Sequence, residues 1–340
     1  MTSIALSVLD LASVAHGATT SEALSATEIL AKRCDQLGYT RFWVAEHHNL
    51  AGVASTTPSV LIAHLAAVTS RIRVGSGGVM LPNHPPLVVA EQFALLEALH
   101  PGRIDLGIGR APGTDPRTAA LLRRDPSDDT ADAFPQHLLQ VMGLLGDRRS
   151  DSGMWTRYSA TPNATSTPSI VLLGSSNYSA QLAGVLGIPF AYAHHFETGY
   201  TETAVNAYTG SFKPSPALAE PYLMVTASAL AADDPAEAER LAAPSLLRRF
   251  GLRTGRRLPL LSPEDAMGHE LYHHAQAMPT NRIIGAAATV VAGLEELAHG
   301  LRAAEIMLAM PTFGVAERLR SFELIAERWN RSSTPSAAGS

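Results

Sequence analysis

A glutamate and two adjacent histidines, Glu46-His47-His48, close the short apolar run from Arg41 to Ala45. An imidazole that is neutral near pH 7 can take or give a proton, so this run end can do general acid-base chemistry. Neighbouring residues on a strand face opposite sides, and at most one of the two histidines can therefore point at a shared site. Gly75-Ser76-Gly77-Gly78 offers a backbone that either approaches a flat ligand closely or turns where larger residues cannot. Gly174-Ser175-Ser176 stands at a predicted strand-to-helix junction, where free N–H groups and hydroxyls can hold a phosphate. Arg110, within Gly107 to Gly113, would add the charge.

These residues need a scaffold that brings them to one place. Short apolar runs alternate with longer helical patterns, the signature of repeated βα units around a parallel sheet. Eight runs read as strands: Ile4 to Leu9, Arg41 to Ala45, Ile72 to Gly75, Ile104 to Ile108, Ile170 to Leu173, Phe190 to Ala193, Tyr222 to Ala227 and Glu305 to Ala309. Eight suggests closure into a barrel, whose working residues sit where strands end and βα loops begin. Ala26, Leu30, Cys34 and Leu37 recur at helical spacing, with Gly38 as a stop signal. A further helix is expected from Pro85-Pro86 to Pro101-Gly102, and a last one with Val315, Leu319, Phe322, Ile325 and Trp329 on one face.

The seventh crossover, from about Ala231 to Ala304, is longer than one helix needs. The expectation is therefore a single domain over residues 1–331 with an insertion between strands 7 and 8, at about 240–284, and a disordered polar tail over 332–340. The insertion carries Arg248, Arg249, Arg253, Arg256 and Arg257, read as a solvated loop or lid.

Composition narrows the class. The 340-residue chain is 46% hydrophobic and 17% charged, which suits a large buried core. A net charge of -5 gives no electrostatic reason to bind nucleic acid or an anionic membrane. Asp10 interrupts the N-terminal apolar run, so no secretory signal is expected, and the single cysteine, Cys34, fits a soluble protein of the reducing cytoplasm. Phosphate-loop, dinucleotide and nucleophile-elbow motifs are absent. His269-Glu270-Leu271-Tyr272-His273 matches the H-E-x-x-H zinc pattern, but it lies in the insertion, away from the strand ends, and no metal is expected.

Taken together, the stretches resemble the bacterial luciferase-like family of flavin-dependent monooxygenases. Glu46-His47-His48, Val74 to Asn83, Pro101 to Gly113 and Leu173 to Ser176 follow the family's order and spacing, and the resemblance runs from Ile4 to Asn330. It implies a (β/α)8 TIM barrel that binds FMN or a deazaflavin at the strand C-termini, often as a dimer. By that resemblance His47 is the catalytic histidine, and Ser76-Gly77 is the non-prolyl cis peptide beneath the flavin ring. Arg110 and Ser175 would bind the FMN phosphate, with Glu46 and Gly174 in the same cofactor-binding stretches. Ser176 and Tyr178 would lie near the phosphate and His194 beside the ring. Gly109 stands where luciferase has a reactive cysteine and Gly174 where it has an acidic residue, so light emission is not implied.

The reaction so implied uses reduced FMN from a separate NAD(P)H-dependent flavin reductase. With dioxygen it forms a flavin 4a-hydroperoxide, which oxygenates a small organic substrate, as in natural-product biosynthesis. Two alternatives stand beside it: a deazaflavin-dependent hydride-transfer oxidoreductase, and a flavin-binding protein without turnover.

Overall fold

The structure, a computed structural model, describes residues 4–122, 133–147, 157–196 and 199–332. Among the described residues are ten strands: β1 (Ala5–Asp10), β2 (Arg41–Val44), β3 (Arg73–Met80), β4 (Ile104–Gly109), β5 (Ser169–Gly174), β6 (Phe190–Tyr192), β7 (Leu223–Ala227), β8 (Ala229–Ala232), β9 (Ile283–Ala286) and β10 (Glu305–Leu308). β1 to β7 pair in chain order, and β10 closes the ring between β7 and β1. The described pairings are parallel. The chain is thus a closed (β/α)8 barrel, as expected. Every residue of β4, β7 and β10 is buried, because a parallel strand covered on both sides has no solvent face to make polar.

Local signals explain the crossover helices. Thr19 caps the Thr20–Leu37 helix in a reciprocal box with Glu22, and Gly38 ends it in the left-handed conformation. Pro86 opens the Pro86–Leu99 helix, where its missing N–H costs nothing. Phe322, Ile325 and Trp329 of the Val315–Ser332 helix are buried in the main core, with Val315 and Leu319 packed against it. Cys34 is fully buried in that same core.

The third strand departs from expectation. It runs on to Met80, so Gly75 to Gly78 lies within the strand and the loop starts at Leu81. The pairing of β3 with β4 slips between Ser76 and Val79, and a glycine-rich bulge of this kind blurs the apolar pattern of a strand. β8 and β9, which pair in a separate two-stranded sheet, were also not foreseen. With the helices Pro235–Arg253, Pro263–Met267 and Tyr272–Gln276 they build an extra unit between β7 and β10, within which the expected insertion at about 240–284 falls. Of the tail expected at 332–340, Ser332 is the last residue of the Val315–Ser332 helix, and 333–340 lie outside the described residues.

A charged floor seals the N-terminal end of the barrel. Asp105 pairs with Arg41 at 2.8 Å and Arg73 at 2.6 Å, and accepts from the Trp43 indole at 2.9 Å. Glu305 pairs with Arg41 at 3.0 Å and accepts from Tyr222 at 2.7 Å. Asp105 and Glu305 are wholly shielded from solvent, so removing one leaves a poorly compensated guanidinium. Asp105→Ala is therefore expected to lower stability by about 3 kcal/mol, measured by urea denaturation. An unchanged midpoint would contradict this role for the floor.

Candidate active site

At the opposite end, the rim is organised around one carboxylate. β2 stops at Val44, and Glu46 follows with no exposed surface. Its Oε1 accepts from His48 Nε2 at 2.7 Å, His84 Nε2 at 2.8 Å and Asn83 Nδ2 at 3.3 Å, while Oε2 accepts from the Met80 N–H at 3.0 Å. Asn83 also donates to the Pro112 carbonyl at 2.9 Å. Three βα loops are tied together in this way. Gly113, at φ +65°, makes the fit possible, since a Cβ there would stand 2.8 Å from the Glu46 carbonyl oxygen. Glu46, His48 and His84 also bring metal-capable atoms within 4.8 Å of one another, although the hydrogen bonds satisfy the carboxylate without an ion.

Burial by itself would raise the Glu46 pKa, but hydrogen bonds from His84, His48 and the Met80 amide, with the His84 charge, hold it below the usual carboxylate range. None of these hydrogen bonds involves His47. Its amide donates to the Ser55 carbonyl at 3.1 Å, and its Nδ1 is buried without a partner. Burial, and then the nearby Arg248 charge, lower its pKa, so the ring is neutral near pH 7. The two histidines differ in their surroundings: His48 is hydrogen-bonded to Glu46, whereas the His47 ring keeps a free nitrogen among the described residues.

A second cluster lies at the ends of β4 and β5. The Arg110 guanidinium stacks over the Tyr178 ring, 4.5 Å from its centroid. Ser176 is the N-cap of the Asn177–Leu186 helix, yet its side chain makes no capping bond. A stacked guanidinium, an uncapped helix start and two serines suit a phosphate. Gly174 is explained by packing, because a Cβ there would fall 2.6 Å from that of Ser179.

The glycine run of β3 lies between these two clusters. The cis peptide is Gly77-Gly78, one residue beyond the expected Ser76-Gly77. Ser76 is buried and donates to the Gly107 carbonyl at 2.9 Å. A Cβ on Gly77 would stand 2.6 Å from Leu9, and one on Gly78 2.7 Å from the Gly107 oxygen, so the bulge presents bare backbone. Across the rim, Asn281 donates to His194 Nε2 at 2.8 Å and to its carbonyl at 2.9 Å. The His194 Nδ1 then carries the proton and donates to Thr201 at 2.8 Å. The H-E-x-x-H stretch forms no shared helical face: His269 sits in the turn before Tyr272–Gln276 and accepts from the Leu271 amide at 3.1 Å.

The family model for luciferase-like monooxygenases matches residues 4–319. A luciferase-like monooxygenase of Escherichia coli (strain K12) is 43% identical over 94% of this chain and 96% of its own. The N-acetyl-S-alkylcysteine monooxygenase of Bacillus subtilis (strain 168) is 32% identical over 95% of this chain and 98% of its own. The crystal structure of apo-MsnO8 superposes with a TM-score of 0.86 at 35% identity, covering 96% of this chain and 98% of that one. The chain belongs to the luciferase-like monooxygenase family. It is an oxidoreductase.

Sequence reasoning overlooked several members of this luciferase-like site. His84 went unnoticed because β3 was ended too early, which placed the next loop five residues upstream of its true start. His195, whose pKa burial pulls down to about 4, forms a second histidine pair with His194 after β6. That repetition of a His-His pair was the available signal. Asn281 had none, being far from the other residues in sequence.

Glu46→Gln keeps the shape of the hub and removes its charge, and is expected to cost about 1.5–3 kcal/mol near neutral pH. The folded pKa lies below the ordinary value of about 4.3. The ionised form's contribution is thus fully present above that value and fades as pH falls through the folded pKa. Urea titrations at several pH values should show wild type and variant converging in acid. Parallel curves throughout would contradict the assignment.

Proposed function

We propose that this enzyme is an FMN-dependent monooxygenase that uses reduced FMN and dioxygen to place one oxygen atom on a small organic molecule. The observation that carries the reading is one rim holding both a neutral histidine with an unpartnered ring nitrogen and a cationic cradle, separated by bare backbone. A phosphate fits Arg110, Tyr178, Ser175 and Ser176, and a flat ring fits the surface of Gly77-Gly78. Bound there, reduced FMN would supply the activation of dioxygen.

The protein's own residues do the rest. His47, neutral and half-buried, can accept a proton at Nδ1 and return it near the reacting atoms. Glu46 holds the preceding loop still, with His48 and His84 as its donors. His194, fixed by Asn281 and Thr201, closes the far wall. The monooxygenase names of the nearer relatives favour oxygen transfer over the deazaflavin hydride chemistry.

Reduced FMN would come from a separate NAD(P)H-dependent flavin reductase, since the barrel mouth is already assigned to flavin and substrate. A homodimer fits the exposed apolar faces of two neighbouring helices, with Val60 on Pro58–Val68 and Leu95 and Leu99 on Pro86–Leu99. Sedimentation should give twice the chain mass, whereas a monomer at micromolar concentration would count against that assembly. His47→Ala should keep FMN affinity and slow oxygenation by about 10²–10⁴-fold. Arg110→Ala should weaken FMN binding by about 10-fold or more. Stopped-flow absorbance with reduced FMN and dioxygen reads both, and full-rate turnover in His47→Ala would remove the histidine from the mechanism.

A further inference from the structure

Several arginines that are shielded from water in this protein are matched to strong acceptors. Arg41 and Arg73 share the carboxylates of the floor, and Arg318 pairs with Asp10. Arg103 donates to the carbonyls of Ala66, Thr69 and Ile72 and to the Thr69 hydroxyl. Arg248 is different. It is partly buried on the Pro235–Arg253 helix, and its contacts are two long ones, to Ser13 Oγ and the Gly52 carbonyl, both at 3.4 Å. At that length a hydrogen bond is weak. Burial lowers its pKa, and no carboxylate among the described residues offsets the effect.

The placement of this charge is specific. Along the helix, Leu241, Pro244 and Gly251 are buried, and Arg248 continues their stripe at i+4 from Pro244, so it is turned inward. Ser13 follows β1 and Gly52 follows β2, which puts the guanidinium over the rim. Gly52 lies directly against it, since a Cβ there would be in van der Waals contact with Nη2 at 3.4 Å. The loops beneath are pinned, since the Val14 amide donates to the Gly52 carbonyl at 3.1 Å and the His16 amide to the Leu260 carbonyl at 2.8 Å. Arg248 is close enough for its charge to be felt by His47. A cation left without a counter-ion beside the proposed proton-transfer group is costly for folding alone. It becomes favourable when a ligand brings the missing anion.

We propose that Arg248 is the anion-recognising residue of the substrate site, and that the organic substrate carries a carboxylate that docks on it beside His47. The inference rests on the monooxygenase reading and adds the substrate's chemical class. Arg110 marks the phosphate end of the flavin at β4 and β5, whereas Arg248 lies over β1 and β2. The two cations therefore serve different anions: one the cofactor's, one the substrate's. A carboxylate held by a planar guanidinium is fixed in orientation as well as position, which would set the reacting atom relative to the flavin.

Titration calorimetry of the purified full chain, with and without FMN, tests this using phenylacetate, hexanoate and benzoate, each beside its primary amide. At least one acid should bind about 10- to 100-fold more tightly than its amide, as expected for a charge-assisted pair. Arg248→Gln should erase that preference, and Arg248→Lys should keep part of it. FMN affinity should be unchanged in both variants, and the melting temperature of Arg248→Gln should not fall. The proposal is overturned if no acid outbinds its amide, or if the preference survives in Arg248→Gln. A tenfold loss of FMN affinity would assign the guanidinium to the flavin, and a marked fall in melting temperature would make it a structural tie; either result also overturns it. Failure of the monooxygenase reading is separately visible, as absence of oxygenated product in the wild-type stopped-flow reaction.

Discussion

One buried carboxylate sets the geometry of the rim. Glu46 can only accept hydrogen bonds when ionised, and its donors come from its own loop, from the last residue of β3 and from the loop after β3. Asn83 then carries the connection to Pro112 in the loop after β4. An ion without solvent must be fully satisfied, so these loops have one low-energy arrangement rather than several. His47, next in sequence, inherits that rigidity. Its own ring makes no tie at Nδ1, and its position is set by the backbone on either side.

The two ends of the barrel use charge in opposite ways. At the floor, Arg41, Asp105, Arg73 and Glu305 neutralise one another within a few ångströms, and little attraction is left for a ligand. At the rim, Arg110 and Arg248 have no carboxylate opposite them among the described residues, and stacking on Tyr178 leaves the guanidinium edge of Arg110 free. A guanidinium that is partly buried without a counter-ion, as Arg248 is, costs folding stability. The same residue type is thus neutralised by carboxylates at one end of the strands and left without them at the other.

That division explains what the sequence made legible. The eight barrel strands could be read because each is an apolar run bounded by helix signals, and buried parallel strands must be apolar throughout. Glu46-His47-His48 was visible as a polar interruption at such a boundary. β3 was misjudged because its glycines contribute no side-chain pattern, and a bulge shifts whatever periodicity remains. His84 was hidden by the same error. β8, with the sequence Ala-Leu-Ala-Ala, consists of residues that favour helices, and only its pairing with β9 makes it a strand. Arg248 could be seen as one of several basic residues in an insertion, but its inward direction depends on packing that no local pattern encodes. The zinc-like H-E-x-x-H stretch shows the converse, since spacing alone suggested a shared face that a turn at His269 removes.

The insertion therefore does more than lengthen a crossover. Its first helix brings Arg248 over β1 and β2, and the segment leading into β9 brings Asn281 to His194 beyond β6. These two contacts fall on opposite sides of the barrel mouth. The β8-β9 sheet joins the elements that carry them, and the Ala231 amide donates to the hydroxyl oxygen of Ser321 on the last helix at 2.9 Å, anchoring that sheet to the barrel. A rim built from short βα loops can hold a cofactor, because a flavin presents the same surfaces in every enzyme that uses it. An anchored insertion reaching both sides of the mouth adds groups to that rim without disturbing the Glu46 hub.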